Sequence, residues 1–174
     1  MVEQPRRWGW HRLSEHWAAR IVAAAGVRPG ELVLDIGAGD GALTQHLVAA
    51  GARVTAIELH AGRAARLRSR FCDAPVRVVQ ADVAELRLPH RPFRVVANPP
   101  YGLSVAILRQ LLVRESLLYA ADLALQRPYV AQVIGGRVPG DARRYVVRRG
   151  MAVPRAAFRP PPRVDSAVLV IRRR

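Results

Sequence analysis

Leu32-Val33-Leu34-Asp35-Ile36-Gly37-Ala38-Gly39-Asp40-Gly41 is the stretch that decides the fold. The run 32–36 is apolar apart from one acid and too short for a helix, so it reads as a buried strand. The glycines behind it let the backbone turn sharply and lie open to a ligand, and 42–50 reads as the helix that follows. Strand, glycine loop and helix open a sheet that holds its ligand at the carboxyl ends of the strands. The dinucleotide fingerprint G-x-G-x-x-G wants its third glycine three positions after the second. Here Gly41 comes two positions after Gly39, with Ala42 where that fingerprint accepts Gly or Ala, so glycines alone leave a nicotinamide site open.

The same grammar repeats outward. Strand 53–57 ends at Glu58, helix 61–70 follows, and strand 76–80 has Asp82 just past its end. A fourth strand spans 93–97, and helix 103–113 keeps Leu103, Ile107 and Leu111 in register. Strand 117–125, a short helix from Pro128 to Gly135-Gly136, and closing strands 145–153 and 167–171 complete the series. Upstream, Ser14 is the expected cap of a helix that ends at Gly26. Strands alternating with helices predict an α/β protein with a doubly wound, mostly parallel sheet of about seven strands. Residues 1–13 read as a basic aromatic arm and 14–174 as one domain.

Consecutive strand ends carry chemistry. Glu58 lies 21 residues beyond Gly37, where a carboxylate takes ribose hydroxyls, and Asp82 suits an adenine amino group. A cationic sulfonium cofactor tolerates this acidic edge better than a pyrophosphate does, so the ordered series favours S-adenosylmethionine (SAM). The fourth strand ends in Asn98-Pro99-Pro100-Tyr101. Asn98 precedes a proline and is driven to an extended backbone, while the prolines have no N–H, so the corner offers acceptors and an aromatic rim. Such a corner suits methylation of the exocyclic amine of adenine, a poor nucleophile whose lone pair is delocalised into the ring. The Asn98 side-chain oxygen and the Pro99 carbonyl can hold both amino hydrogens, and Tyr101 can stack on an extruded base. Positioning and electrostatics then supply the rate, with no tuned acid or base.

All 28 basic residues are arginine, and the net charge is +15. Between 141 and 174 ten arginines meet two acids, Asp141 and Asp165, and phosphate backbones are the usual partner of such a field. One cysteine, Cys72, excludes an internal disulfide and a cysteine-based zinc site, and the five scattered histidines lack ligand spacing, so no metal is expected. Neither a spanning apolar run nor a signal peptide is read, and a cytoplasmic monomer is the expectation.

Asp35-Ile-Gly-Ala-Gly-Asp-Gly41, Ala56-Ile-Glu-Leu59, Gln80-Ala-Asp82, Asn98-Pro-Pro-Tyr101 and Phe158-Arg-Pro-Pro-Pro-Arg-Val-Asp-Ser166 stand in the order of the ribosomal RNA adenine-N6 methyltransferases, which the chain resembles over about 10–172. Within that family it is most similar to the Erm branch, especially its short actinobacterial members. The resemblance implies a class I SAM-dependent, Rossmann-like sheet whose last hairpin strand is antiparallel. It also implies methylation of an adenine in the peptidyl-transferase loop of 23S rRNA, with resistance to macrolides, lincosamides and streptogramin B. His11, Leu13, Gly37, Gly39, Glu58, Leu59, Asp82, Val83 and Asn98 would then hold SAM. Asn98, Pro99, Pro100, Tyr101 and Phe158 would form the catalytic corner. Tyr101 and Phe158 would sandwich the adenine, although Phe158 also reads as a core plug.

Three departures qualify the resemblance. Trp10-His11-Arg12-Leu13 stands where most members have Gln-Asn-Phe-Leu. Pro99 matches the Asn-Pro-Pro-Tyr of DNA adenine methyltransferases rather than the family's usual Ile or Leu. The chain stops at Arg174, before the helical RNA-binding domain of most relatives. RNA contacts are therefore expected from Arg6, Arg7, Arg143, Arg144, Arg148, Arg149, Arg155, Arg159 and Arg163. Competing readings are a DNA adenine methyltransferase, a 16S rRNA dimethyladenosine transferase and a catalytically silent RNA-binding assembly factor.

Overall fold

Apolar side chains on both faces of the central strands require cover on both faces, and the chain supplies it with helices. The computed structural model describes residues 11–174. In chain order these form β1 (Arg12–Leu13), α1 (Glu15–Ala25), β2 (Leu32–Ile36), α2 (Ala42–Ala49), β3 (Arg53–Glu58), α3 (Ala61–Arg70) and β4 (Val76–Gln80). There follow β5 (Phe93–Ala97), α4 (Ser104–Leu111), β6 (Leu118–Gln126), α5 (Arg127–Ile134), β7 (Tyr145–Val153), β8 (Phe158–Arg159) and β9 (Ser166–Arg173).

Seven strands make one sheet in the order β4-β3-β2-β5-β6-β9-β7. The first five run parallel, and β9 lies antiparallel to both of its neighbours, β6 and β7. Period-two alternation divides the core. Leu32, Leu34, Ile36, Val95 and Ala97 face the layer of α4 and α5. Val33, Val54, Val96, Ala124 and Val168 face α1 and α2, where Ile21, Val22, Leu43 and Leu47 are buried. This is the doubly wound sheet that the strand and helix pattern predicts. Buried charge is paired: Arg94 on β5 lies 3.0 Å from Glu31 and 3.7 Å from Asp122, which also holds Arg172 at 2.9 Å.

Two details differ from the sequence reading. Helix 103–113 is shorter, because a 3-10 turn over Tyr101–Leu103 takes the chain out of the proline corner, with the Leu103 N–H on the Pro100 carbonyl at 2.9 Å. Ser14 stands at the start of α1 without a side-chain cap; its N–H instead bonds the Ala157 carbonyl at 2.9 Å. That bond continues a two-stranded antiparallel ribbon in which Arg12 pairs with Arg159 and Leu13 with Phe158. The chain there is fixed by its partner strand rather than by local capping.

Candidate active site

In an open α/β sheet the crevice forms where the strand order reverses. Here successive connections run outward through β3 and β4 on one side of β2 and through β5 and β6 on the other, so the crevice lies between the ends of β2 and β5. β2 ends at Gly37 and β5 at Asn98. Gly37 has φ +77°, and a Cβ placed on it would stand 2.9 Å from Pro100 Cδ and 3.4 Å from Pro99 Cα. The glycine loop and the proline corner are thus in contact, and only a residue without a side chain fits between them. The Gly37 and Ala38 amides bond the Ile57 carbonyl at 2.8 and 3.0 Å, which ties the loop to the end of β3 as well.

Acidic groups line this edge. Glu58, buried at the end of β3, accepts the Gly39 N–H at 2.9 Å with one oxygen. Its other oxygen takes the His60 N–H at 2.9 Å and the Arg63 guanidinium at 2.8 Å. Asp82 follows β4 and accepts the Ala84 N–H at 2.9 Å, which starts the 3-10 turn Val83–Glu85. Leu59 is exposed and Val83 buried beside these acids. Asp35, within β2, is 1% exposed and accepts the Thr44 hydroxyl at 2.7 Å. Burial, aided by the Glu58 charge, pushes its carboxyl up to about 7 against the pull of Thr44. Asp35, His11, Leu13, Gly37, Gly39 and Asn98 all line one small cavity.

The N-terminal strand closes the corner. The Asn98 amide donates to the His11 carbonyl at 2.9 Å, which settles which end of the amide is which. Its oxygen, Oδ1, is buried and has no partner among the described residues. A buried polar atom left unpaired costs stability, so an unpaired acceptor at this edge marks a place for a donor. The His11 ring stacks on Tyr101 at 5.5 Å, and its Nδ1 lies 2.7 Å from the Pro160 carbonyl. Tyr101 OH lies 2.7 Å from Ser166 Oγ, and burial raises its pKa, which keeps the phenol neutral. Phe158 meets Tyr101 edge-on at 6.4 Å but is itself 0% exposed, packed in the α1–α2 core layer opposite Leu13. As folded, it supports the Tyr101 ring from below and presents no face for a base.

The arginines divide. Arg155, Arg159 and Arg163 stand at the catalytic edge, because Val153 and Gln126 both pair with Ser166 there. Arg143 and Arg144 precede β7 at the opposite edge, where Tyr145 pairs with Arg173. A strand of this length separates the two groups by roughly 30 Å, too far for one phosphate to meet both. Arg148 and Arg149 lie exposed along β7 between them. Arg6 and Arg7 fall outside the described residues.

Sequence reasoning gave no role at the site to Asp35, Thr44, Arg63 or Ser166. Asp35 had a signal, an acid inside an otherwise apolar strand. Thr44 and Arg63 become legible only once α2 and α3 are packed. Among the described residues no group of three metal-ligating side chains occurs, and no helix is long and apolar enough to cross a membrane.

The parallel sheet with its antiparallel β9, the glycine loop, and the acids at successive strand ends define a class I SAM-dependent methyltransferase. The acceptors at this edge fit that cofactor: the Glu58, Asp82 and Asp35 carboxyls for its hydroxyls, amine and positive charge, and the unpaired Asn98 oxygen beside them. Residues 12–174 match the family described as ribosomal RNA adenine dimethylase, and the chain belongs to it. Ribosomal RNA small subunit methyltransferase A of Thermosynechococcus vestitus is 36% identical over 99% of this chain and 71% of its own length. An rRNA adenine N-6-methyltransferase of Corynebacterium diphtheriae is 38% identical over 81% of this chain and 57% of its own length. Among solved structures, 23S rRNA methyltransferase ErmE superposes with a TM-score of 0.83 at 30% identity, over 95% of this chain and 70% of that one. The dimethyladenosine transferase of Plasmodium falciparum shares the fold, with a TM-score of 0.82 at 24% identity over 94% of this chain and 64% of that one.

Proposed function

We propose that this protein transfers a methyl group from SAM to N6 of an adenine in 23S rRNA, in the peptidyl-transferase loop, and so confers resistance to macrolides, lincosamides and streptogramin B. The observation that carries the adenine chemistry is the buried, unpaired Asn98 Oδ1. Its partner nitrogen is committed to the His11 carbonyl, so the oxygen is held toward the crevice in one orientation. Asn98 Oδ1 and the Pro99 carbonyl accept the two amino hydrogens and favour a tetrahedral nitrogen. Tyr101, braced by Ser166, His11 and Phe158, presents the ring that the extruded base stacks against. The sulfonium of SAM supplies the electrophilic methyl group. The proton then leaves the cationic amine to solvent. The likeness to 23S rRNA methyltransferase ErmE supports 23S rRNA as the substrate.

A second reading has its own support. Relatives that carry the name ribosomal RNA small subunit methyltransferase A, that of Thermosynechococcus vestitus among them, favour 16S rRNA. Labelled SAM offered to protein-free 23S and 16S rRNA, with products mapped by primer extension, separates the two. A stop at the peptidyl-transferase adenine, abolished in Asn98→Ala, is the expected result. Label in 16S rRNA alone replaces the first reading by the second, and label in DNA alone overturns both.

A further inference from the structure

Beside the catalytic corner lies an open pocket of about 490 Å³ to which Arg127, Arg155 and Arg163 contribute, with Pro128, Val164 and Asp165. Three separate segments meet here: the start of α5, the turn after β7, and the loop before β9. Asp165 ties them together. Its carboxylate accepts the Arg155 N–H at 2.9 Å, and its carbonyl accepts the Arg127 N–H at 2.9 Å. Both bonds use backbone donors, so the guanidinium groups are left over. All three arginines are exposed, and none of their side chains has a hydrogen-bond or ion-pair partner among the described residues. One carboxylate against three guanidiniums leaves the pocket with a net charge of about +2, in a concavity walled by Pro128 and Val164.

Position adds to charge. The next residue after Asp165 is Ser166, whose hydroxyl meets the Tyr101 phenol at 2.7 Å. The pocket therefore adjoins the ring assigned to the target base, on the same edge of the sheet. We propose that it binds a phosphodiester of the RNA strand next to the target adenosine, with Arg127, Arg155 and Arg163 as its ligands. This rests on the reading that the protein methylates RNA. Guanidiniums match phosphate oxygens in pairs, and flanking apolar surface suits the sugar. The pocket then holds the strand on one side of the base while the corner holds the base itself, and no sequence is read at this point.

The test compares two triple variants that lose equal charge. One is Arg127→Gln, Arg155→Gln and Arg163→Gln. The other changes Arg68, Arg77 and Arg137 to Gln, three exposed residues away from this edge. Binding of an RNA stem-loop with a single-stranded adenosine is measured by fluorescence anisotropy across a salt series, and SAM binding by calorimetry. The pocket variant is expected to weaken RNA binding about tenfold and to flatten the plot of log K against log salt by about 0.7, the share of one phosphate on a single strand. The remote variant is expected to lose less than twofold, and SAM affinity is expected to hold in both. Equal losses in the two variants, or an unchanged salt slope, overturn the proposal. Binding is read without turnover, so a wild-type protein that binds this RNA yet methylates none defeats the assigned reaction and leaves the pocket judged on its own.

Discussion

Replacing Asp35 by asparagine removes a titration while keeping the shape of the side chain. The ordinary carboxyl value is 3.8, and burial holds Asp35 at about 7. Below pH 4 the group is protonated in folded and unfolded chains alike. Between about 4 and 7 the unfolded chain ionises while the folded one keeps its proton, so stability falls as pH rises through that window. Above about 7 both are ionised and the penalty is constant. The interval corresponds to roughly 4 kcal/mol. Asp35→Asn carries only a pH-independent offset of about 1–3 kcal/mol for its unpaired amide. Urea unfolding followed by tryptophan fluorescence at pH 4, 6 and 8 gives the difference between the two proteins. The variant should gain on the wild type by roughly 4 kcal/mol from the lowest to the highest pH. Parallel profiles would refute the assignment of a proton to buried Asp35. The same residue lines the glycine-loop cavity, so the cationic cofactor favours its ionised form. SAM should bind the wild type more tightly as pH rises through 7, and Asp35→Asn should lose that dependence in calorimetry.

Two further substitutions probe the corner. Gly37→Ala places a methyl group 2.9 Å from Pro100 Cδ at a φ of +77°, so it should shift the proline corner and lower methyl transfer at least tenfold, with a native circular dichroism spectrum; activity near wild type would mean the contact is slack. Phe158→Ala should cost about 3–5 kcal/mol in urea unfolding, the loss for a large buried aromatic. A stable variant with only a raised KM for RNA would instead make Phe158 a base-stacking surface.

Much of the fold is legible because its signals are local. Short apolar runs broken by glycine give the parallel strands, and β2 and β5 fall at the predicted residues. Gly37, Glu58, Asp82 and Asn98 were also readable, since each sits at a strand end, where chain direction alone places it on the ligand edge. The rest depends on contacts between distant segments. No local pattern tells that the His11 carbonyl, 87 residues from Asn98, orients its amide. Phe158 reads equally as a stacking ring or a plug until the pairing of Leu13 with Phe158 turns it inward. Arg143 and Arg155 look alike in a run of basic residues, yet the direction of β7 carries them to opposite edges.

The place of β9 has a consequence for biosynthesis. This strand is inserted between β6 and β7, although residues 166–173 are the last of the sheet to be made. A nascent chain that has emerged only as far as residue 153 holds β6, nearly all of it destined for burial, with one edge unpaired. Such an edge is a template for pairing with other chains. Ribosomes stalled or terminated within the arginine codons that precede β9 would release aggregation-prone fragments rather than weak enzymes. Crowded expression should therefore yield either folded protein or inclusion bodies, with few soluble partial products.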